Sequence, residues 1–189
     1  MFALRHFTSL LLLVSTAFVA ASPTPLPEAG AVAVVEERNS GVDVVGIIVT
    51  LQASVAVVLP QINTLCAQGH ATDLTVGPLI VELEAAIEIA VVALGTVSLS
   101  GVGSKSQCAG LLAEIIKDIT YTIEGCKSAG TVLTLGTLIA SLDQSLKVLL
   151  LGVELVLGGV LVLVGGLIVD VVVLLKSLLF GLTLGCLGL

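Results

Sequence analysis

SKSQCAGLLAEIIKDITYTIEGC, Ser104 to Cys126, reads in only one way. Cys108, Leu111, Leu112, Ile115, Ile116, Ile119, Ile123 and Cys126 recur at steps of three and four and line one face of a helix, opposite Lys105, Glu114, Lys117, Asp118 and Glu124. Ser104, with Gln107 three residues on, supplies a capping box at its start. Such a helix is stable only when half-buried against other apolar faces, so the fold class expected is all-α.

Both neighbours of this segment repeat the pattern. Upstream, Val44, Ile48, Leu51, Val55, Val58, Ile62 and Leu65 predict a helix in which Pro60 introduces a kink. After the break AQGHATD, a second helix is expected from about Pro78 to about Val97, with Glu82, Glu84 and Glu88 on a solvated face. Downstream of KSAG, positions Val132, Leu135, Ile139, Leu142, Leu146, Leu149, Val153, Val156, Val160, Leu163 and Leu167 follow a heptad, with Asp143 and Lys147 paired on its wet side. Glycines at 152, 159 and 166, and at 158 and 165, interrupt it. One helix from Thr131 to Leu184 would be about 80 Å long, so a break near a Gly-Gly pair is expected. The fold predicted is a disulfide-stapled bundle of about four to five helices with a long hydrophobic Gly/Leu/Val-rich C-terminal helical segment.

The chain is 57% hydrophobic and 11% charged, with a mean hydropathy of +1.21, against about 25% charged in ordinary soluble domains. Fourteen acidic and seven basic residues, without a basic cluster, exclude nucleic acid as a partner. Arg5 and His6, the apolar run around Leu10 to Val14 and the small residues Val19-Ala20-Ala21 read as a secretory signal cut after Ala21; losing Arg5 takes the formal charge from -7 to -8. The expected organisation is signal peptide 1–21, flexible Pro/Ala-rich leader 22–41, amphipathic helical domain 42–147 and hydrophobic C-terminal segment 148–189. Extracellular or cell-wall location follows.

Four cysteines in an oxidising compartment read as two disulfides. Cys108 and Cys126 are 18 residues apart on one helix, about 27 Å, and cannot pair with each other. Of the two connectivities left, an up-and-down bundle favours Cys66 with Cys126 and Cys108 with Cys186. A return at a Gly-Gly break would carry Cys186 to the Cys126 end and argues against that choice. No nucleophile, base and orienter set, no metal-ligand spacing and no cofactor motif is present, so an enzyme is not expected and no cofactor is implied. Glu84 and Glu88 share a face but have no histidine beside them.

The tail then decides the function. Val148 to Val169 is long enough to span a bilayer, but on the cytoplasmic side only Lys176, itself in an apolar run, stands where a Lys/Arg cluster is expected. The tail alternatively forms the core of a closed bundle, with a lipid pocket, or an exposed apolar surface that adheres or self-assembles, where VLVLV and VVVLL would also suit a change to strand. The SPTPLPE leader after the signal, the four cysteines and the Gly/Leu/Val-rich second half resemble the small secreted hydrophobic structural proteins of mushroom-forming fungi. That resemblance implies a role at hyphal walls, in aerial growth or in surface attachment. The chain differs from hydrophobins, which carry eight cysteines with adjacent pairs; here no two are adjacent.

The reading carried forward is a secreted, non-enzymatic structural or surface protein acting in cell-wall association, adhesion or self-assembly at hydrophobic interfaces. Its partner would be a wall polymer or hydrophobic surface, with a lipid, a second copy of the chain and a membrane kept open. A secreted helical lipid carrier is the alternative, and a surface protein anchored by one C-terminal span is the next.

Overall fold

Asp43 opens the first helix, its carboxylate accepting the Gly46 N–H. The computed structural model describes residues 43–97, 104–130 and 132–189, so the signal and the whole leader lie outside the described residues. Within them the chain is all-helical: α1 Val44–Ala67, α2 Asp73–Leu94, α3 Lys105–Ala129, α4 Leu135–Val156, α5 Val160–Leu167, a 3-10 turn Val169–Val171, α6 Val172–Ser177 and α7 Gly181–Leu187. No strand occurs among the described residues, and both VLVLV and most of VVVLL are helical.

Helix α1 continues through Pro60, which is exposed. Helix α2 starts before Pro78, because Thr72 N–H is held by Thr75 Oγ1 at 2.8 Å and Asp73 fills the first turn. Helix α3 takes the expected form, with Ser104 Oγ accepting the Gln107 N–H and Gly130 closing it at φ 66.

Cross-links give the order of the bundle. Gln52 Nε2 donates to Glu114 at 2.9 Å and Asn63 Nδ2 to Thr122 Oγ1 at 3.3 Å, so α1 and α3 run the same way. Asp73 meets Thr134, Ser141 donates to Glu84, and Leu94 packs on Gly152, so α2 and α4 run together in the opposite sense. Lys105 Nζ reaches Gly158 O at 2.8 Å, Lys117 pairs with Asp170 at 3.0 Å and Lys127 Nζ reaches Ser177 O at 2.8 Å, which lays α5 and α6 along α3. Helix α7 turns back between α4 and α5. The stripes read from sequence meet in one core that includes Ile48, Ile62, Ile80, Ile87, Ile116, Ile119, Leu142, Leu149, Val160, Leu175 and Phe180.

The C-terminal third differs from a single long helix. The break is at Leu157–Gly159, where Gly159 has φ 90, a conformation that disfavours a side chain. A second bend of 58° separates Val160–Leu167 from Val169–Ser177. The stretch 148–169 is therefore not one continuous helix, and the boundary expected at 147/148 falls inside α4. Gly165 lets α7 approach α5: a Cβ there would stand 3.2 Å from the Leu187 carbonyl oxygen. More helices result than the four to five expected, because glycines and turns divide the tail into short pieces that fold over α3 and α4.

Three helices end in the same hydrogen-bond pattern, with a residue two or three past the end bonding five residues back: His70 to Leu65, Phe180 to Leu175 and Leu189 to Leu184. The left-handed position is glycine in two of them, Gly69 and Gly188, but Leu179 in the third, at φ 65. That conformation costs a residue with a side chain about 1–2 kcal/mol.

Asp143 is not on the wet side. It is 3% exposed, and its carboxylate oxygens accept the Leu182 and Thr183 N–H groups, both at 2.8 Å. It caps α7, whose own preceding residue, Phe180, has no capping side chain. Replacing Asp143 with Ala leaves the buried Thr183 N–H and the partly buried Leu182 N–H unpaired and is expected to destabilise the bundle by about 1–3 kcal/mol in a denaturant titration, while Lys147→Ala stays within about 0.5 kcal/mol. Equal effects of the two substitutions would contradict this placement.

Candidate functional site

Helix ends α1 and α3 bring Cys66 and Cys126 together, with the two thiols in hydrogen-bonding contact. Cys66 is half-buried and Cys126 fully buried. Burial first, and then the neighbouring Cys66 thiol, pushes the Cys126 thiol well above its ordinary range. Cys108 is also buried, and burial raises it to about 11. Both remain neutral thiols near pH 7, which makes them poor nucleophiles. Ala109, next to Cys108, lies beside α5 near Gly166, and Leu187, next to Cys186, lies on Gly165. The extra reversal at Leu178–Phe180 thus returns Cys186 toward the end that holds Cys108, instead of leaving it near Cys126. All four cysteines are free in this structure, so disulfide stapling is not part of the described fold.

Several of the charged side chains serve helix ends. Glu154 Oε1 accepts the Gly159 N–H at 2.7 Å and Oε2 the Leu161 N–H at 3.0 Å, closing the α4–α5 turn. Asp73 Oδ1 accepts both the Thr134 N–H, at 2.9 Å, and its hydroxyl, at 2.8 Å. Lys105 and Lys127 donate to carbonyls at the ends of other segments. Of the acids singled out from sequence, Glu82 and Glu88 are exposed, while Glu84 accepts from Ser141. Among the described residues no three His, Cys, Asp or Glu side chains gather as metal ligands.

The surface is left apolar. Helix α1 has no charged residue, exposes Val49 and Val57, and is long and apolar enough to cross a membrane. On α2, Val81, Ile89 and Val92 are exposed; on α4, Val148, Leu151 and Leu155; on the α5–α6 segment, Val162, Leu163, Leu167, Val169 and Val173. A shallow groove of about 370 Å³ lies between Ser106 and Ala109 of α3 and Val162, Leu163, Gly166 and Leu167 of α5.

No family profile matches the chain. Over 83 residues it is 39% identical to fruiting body differentiation protein 16 of Flammulina velutipes, a mushroom; the match takes in 44% of this chain and 62% of that protein. The chain thus spans less than two thirds of that relative. The likeness to proteins of mushroom-forming fungi holds at this coarse level.

The capping carboxylates make the fold acid-sensitive. The Gly159 and then the Leu161 N–H hold Glu154 below its ordinary value of 4.5, and the Thr134 N–H followed by its hydroxyl holds Asp73 below 3.8. A carboxylate with a depressed folded-state pKa contributes stability that is complete above the unfolded value and is lost as pH falls through the folded one. The thermal midpoint is expected to hold from pH 7 to about 5 and then fall below about 4.5, and Glu154→Gln should flatten part of that slope. An E154Q curve parallel to the parent's would contradict the capping role.

Proposed function

We propose that this chain is a secreted, non-enzymatic structural or surface protein that acts at hydrophobic interfaces of the fungal wall or fruiting body. The observation that carries this reading is the apolar exterior of a folded bundle. Its core is already filled, yet nineteen large apolar side chains among the described residues stay exposed, on the outer faces of most of the helices. An ordinary soluble domain covers such faces with charge; here charges are few, and several of them are committed to helix ends. The name of the Flammulina velutipes relative supports a part in fruiting-body development.

The disulfide framework belongs to this reading. Cys66 and Cys126, already in contact, form one bridge on export, and Cys108 and Cys186, at the opposite end, form the second. The high thiol pKa values argue that oxidation occurs while the chain folds, since buried neutral thiols exchange slowly.

The lipid-carrier reading rests on the groove between α3 and α5, whose volume of about 370 Å³ is at the small end for a ligand site. Stoichiometric lipid in an organic extract of the purified protein would favour it.

Expression of the full chain with fractionation into medium, wall, membrane and cytoplasm is the direct test. The expected product is in the medium or wall, begins near Ser22, and weighs about 4 Da less than its reduced form, two hydrogens per disulfide. A cytoplasmic product with its amino terminus intact and four thiols would overturn the proposal.

A further inference from the structure

Three leucines protrude from one end of the bundle: Leu74 in the first turn of α2, Leu133 just before α4 and Leu179 between α6 and α7, exposed by 87%, 90% and 80%. The same contacts that order the helices collect them. Asp73, next to Leu74, binds Thr134, next to Leu133; Lys127, at the end of α3, binds the carbonyl of Ser177, two residues before Leu179.

Leu179 is the informative one. It occupies a left-handed position that glycine fills in the two equivalent turns, and it is 80% exposed, so it carries backbone strain and apolar exposure together with little burial to offset either. Glycine would remove both costs.

Charge is distributed to match. At this end the exposed ionised side chains are the cations Lys127 and Lys176, while the acids there, Asp73 and Glu124, are half-buried, and Asp73 is engaged by Thr134. Of the other exposed acids among the described residues, Glu82, Glu88, Glu114 and Asp118 lie along the sides of α2 and α3, Asp170 pairs with Lys117, and Asp43 caps the start of α1.

We infer that this end docks on a phospholipid surface, with Leu74, Leu133 and Leu179 entering the acyl boundary and Lys127 and Lys176 meeting the headgroup phosphates. Separate protrusions on one helical turn and two connections suit a planar soft phase, which engages all of them at once. Lysines above inserted leucines match the polarity profile of a lipid interface. This inference rests on the interfacial role proposed above and names the lipid-facing end.

Co-sedimentation of the mature protein with phosphatidylcholine vesicles tests it. The triple variant Leu74→Ser, Leu133→Ser, Leu179→Ser should lose roughly tenfold or more of its vesicle partitioning, since most of the inserted apolar area is gone. Val81→Ser, Ile89→Ser, Val92→Ser, an equal change on the side of α2, should partition as the parent does. Leu179→Gly alone should bind vesicles more weakly while its thermal midpoint stays level or rises, whereas a purely structural leucine would lower the midpoint. Equal partitioning of the two triple variants would overturn the inference, as would a parent that ignores vesicles. In that last case, adsorption to polystyrene beads measured alongside separates the two readings: retained adsorption leaves the interfacial role standing, and lost adsorption removes that role too.

Discussion

The buried Asp143 carboxylate, shared by α4 and α7, is the contact on which the C-terminal third depends. Phe180 offers no cap, so α7 begins with bare N–H groups inside the bundle, and unpaired buried donors cost more than a short helix can repay. One carboxylate resolves this by accepting two of them. With α7 in place, Phe180 and Leu184 close over α4, and Leu187 packs against Gly165 of α5. The same solution recurs where Glu154 closes the α4–α5 turn and where Asp73 holds the start of α4. A chain with 11% charged residues places several of them where a helix would otherwise end unsatisfied.

That economy shapes the exterior. A charge committed to a helix end no longer covers an outer face, so Val, Leu and Ile remain on the surface of helices whose inner faces are already packed. The exposed apolar side chains are then a property of the folded state and need no unfolding to appear. A protein of this kind reaches an apolar phase with its helices formed, in contrast to assembly by conversion to strands, which VLVLV and VVVLL allow by composition alone.

The elements with strong periodicity were legible in the sequence. The Cys108 to Cys126 stripe, its Ser104 cap and the inward positions Leu142, Leu146 and Leu149 all lie where a period of 3.6 places them. Local signals failed where distant contacts decide. Pro78 looks like a first-turn residue, but the Thr72–Thr75 contact starts α2 earlier. Asp143 and Lys147 look like a solvent pair at helical spacing, yet Asp143 lies beside Leu142 at the edge of the stripe, and α7 covers it. A clue was available: a tail segment beginning LFG, with no capping residue of its own, needs a cap from elsewhere. The glycine pairs announced a break, and Gly158–Gly159 supplies it, but the further turn at Leu178–Phe180 has Leu179 where sequence rules call for glycine. The cysteine ends of α1 and α3 were readable as neighbours from the up-and-down order alone, whereas the position of Cys186 depended on that unannounced turn.

The central claim is that this bundle presents an apolar exterior while remaining folded. Surface pressure recorded at a clean air–water interface, with infrared reflection from the same film, tests it most directly. The account predicts that the mature protein raises the surface pressure and that the film keeps its helical amide band. No rise in pressure, or a film in which a strand band replaces the helical one, would contradict it.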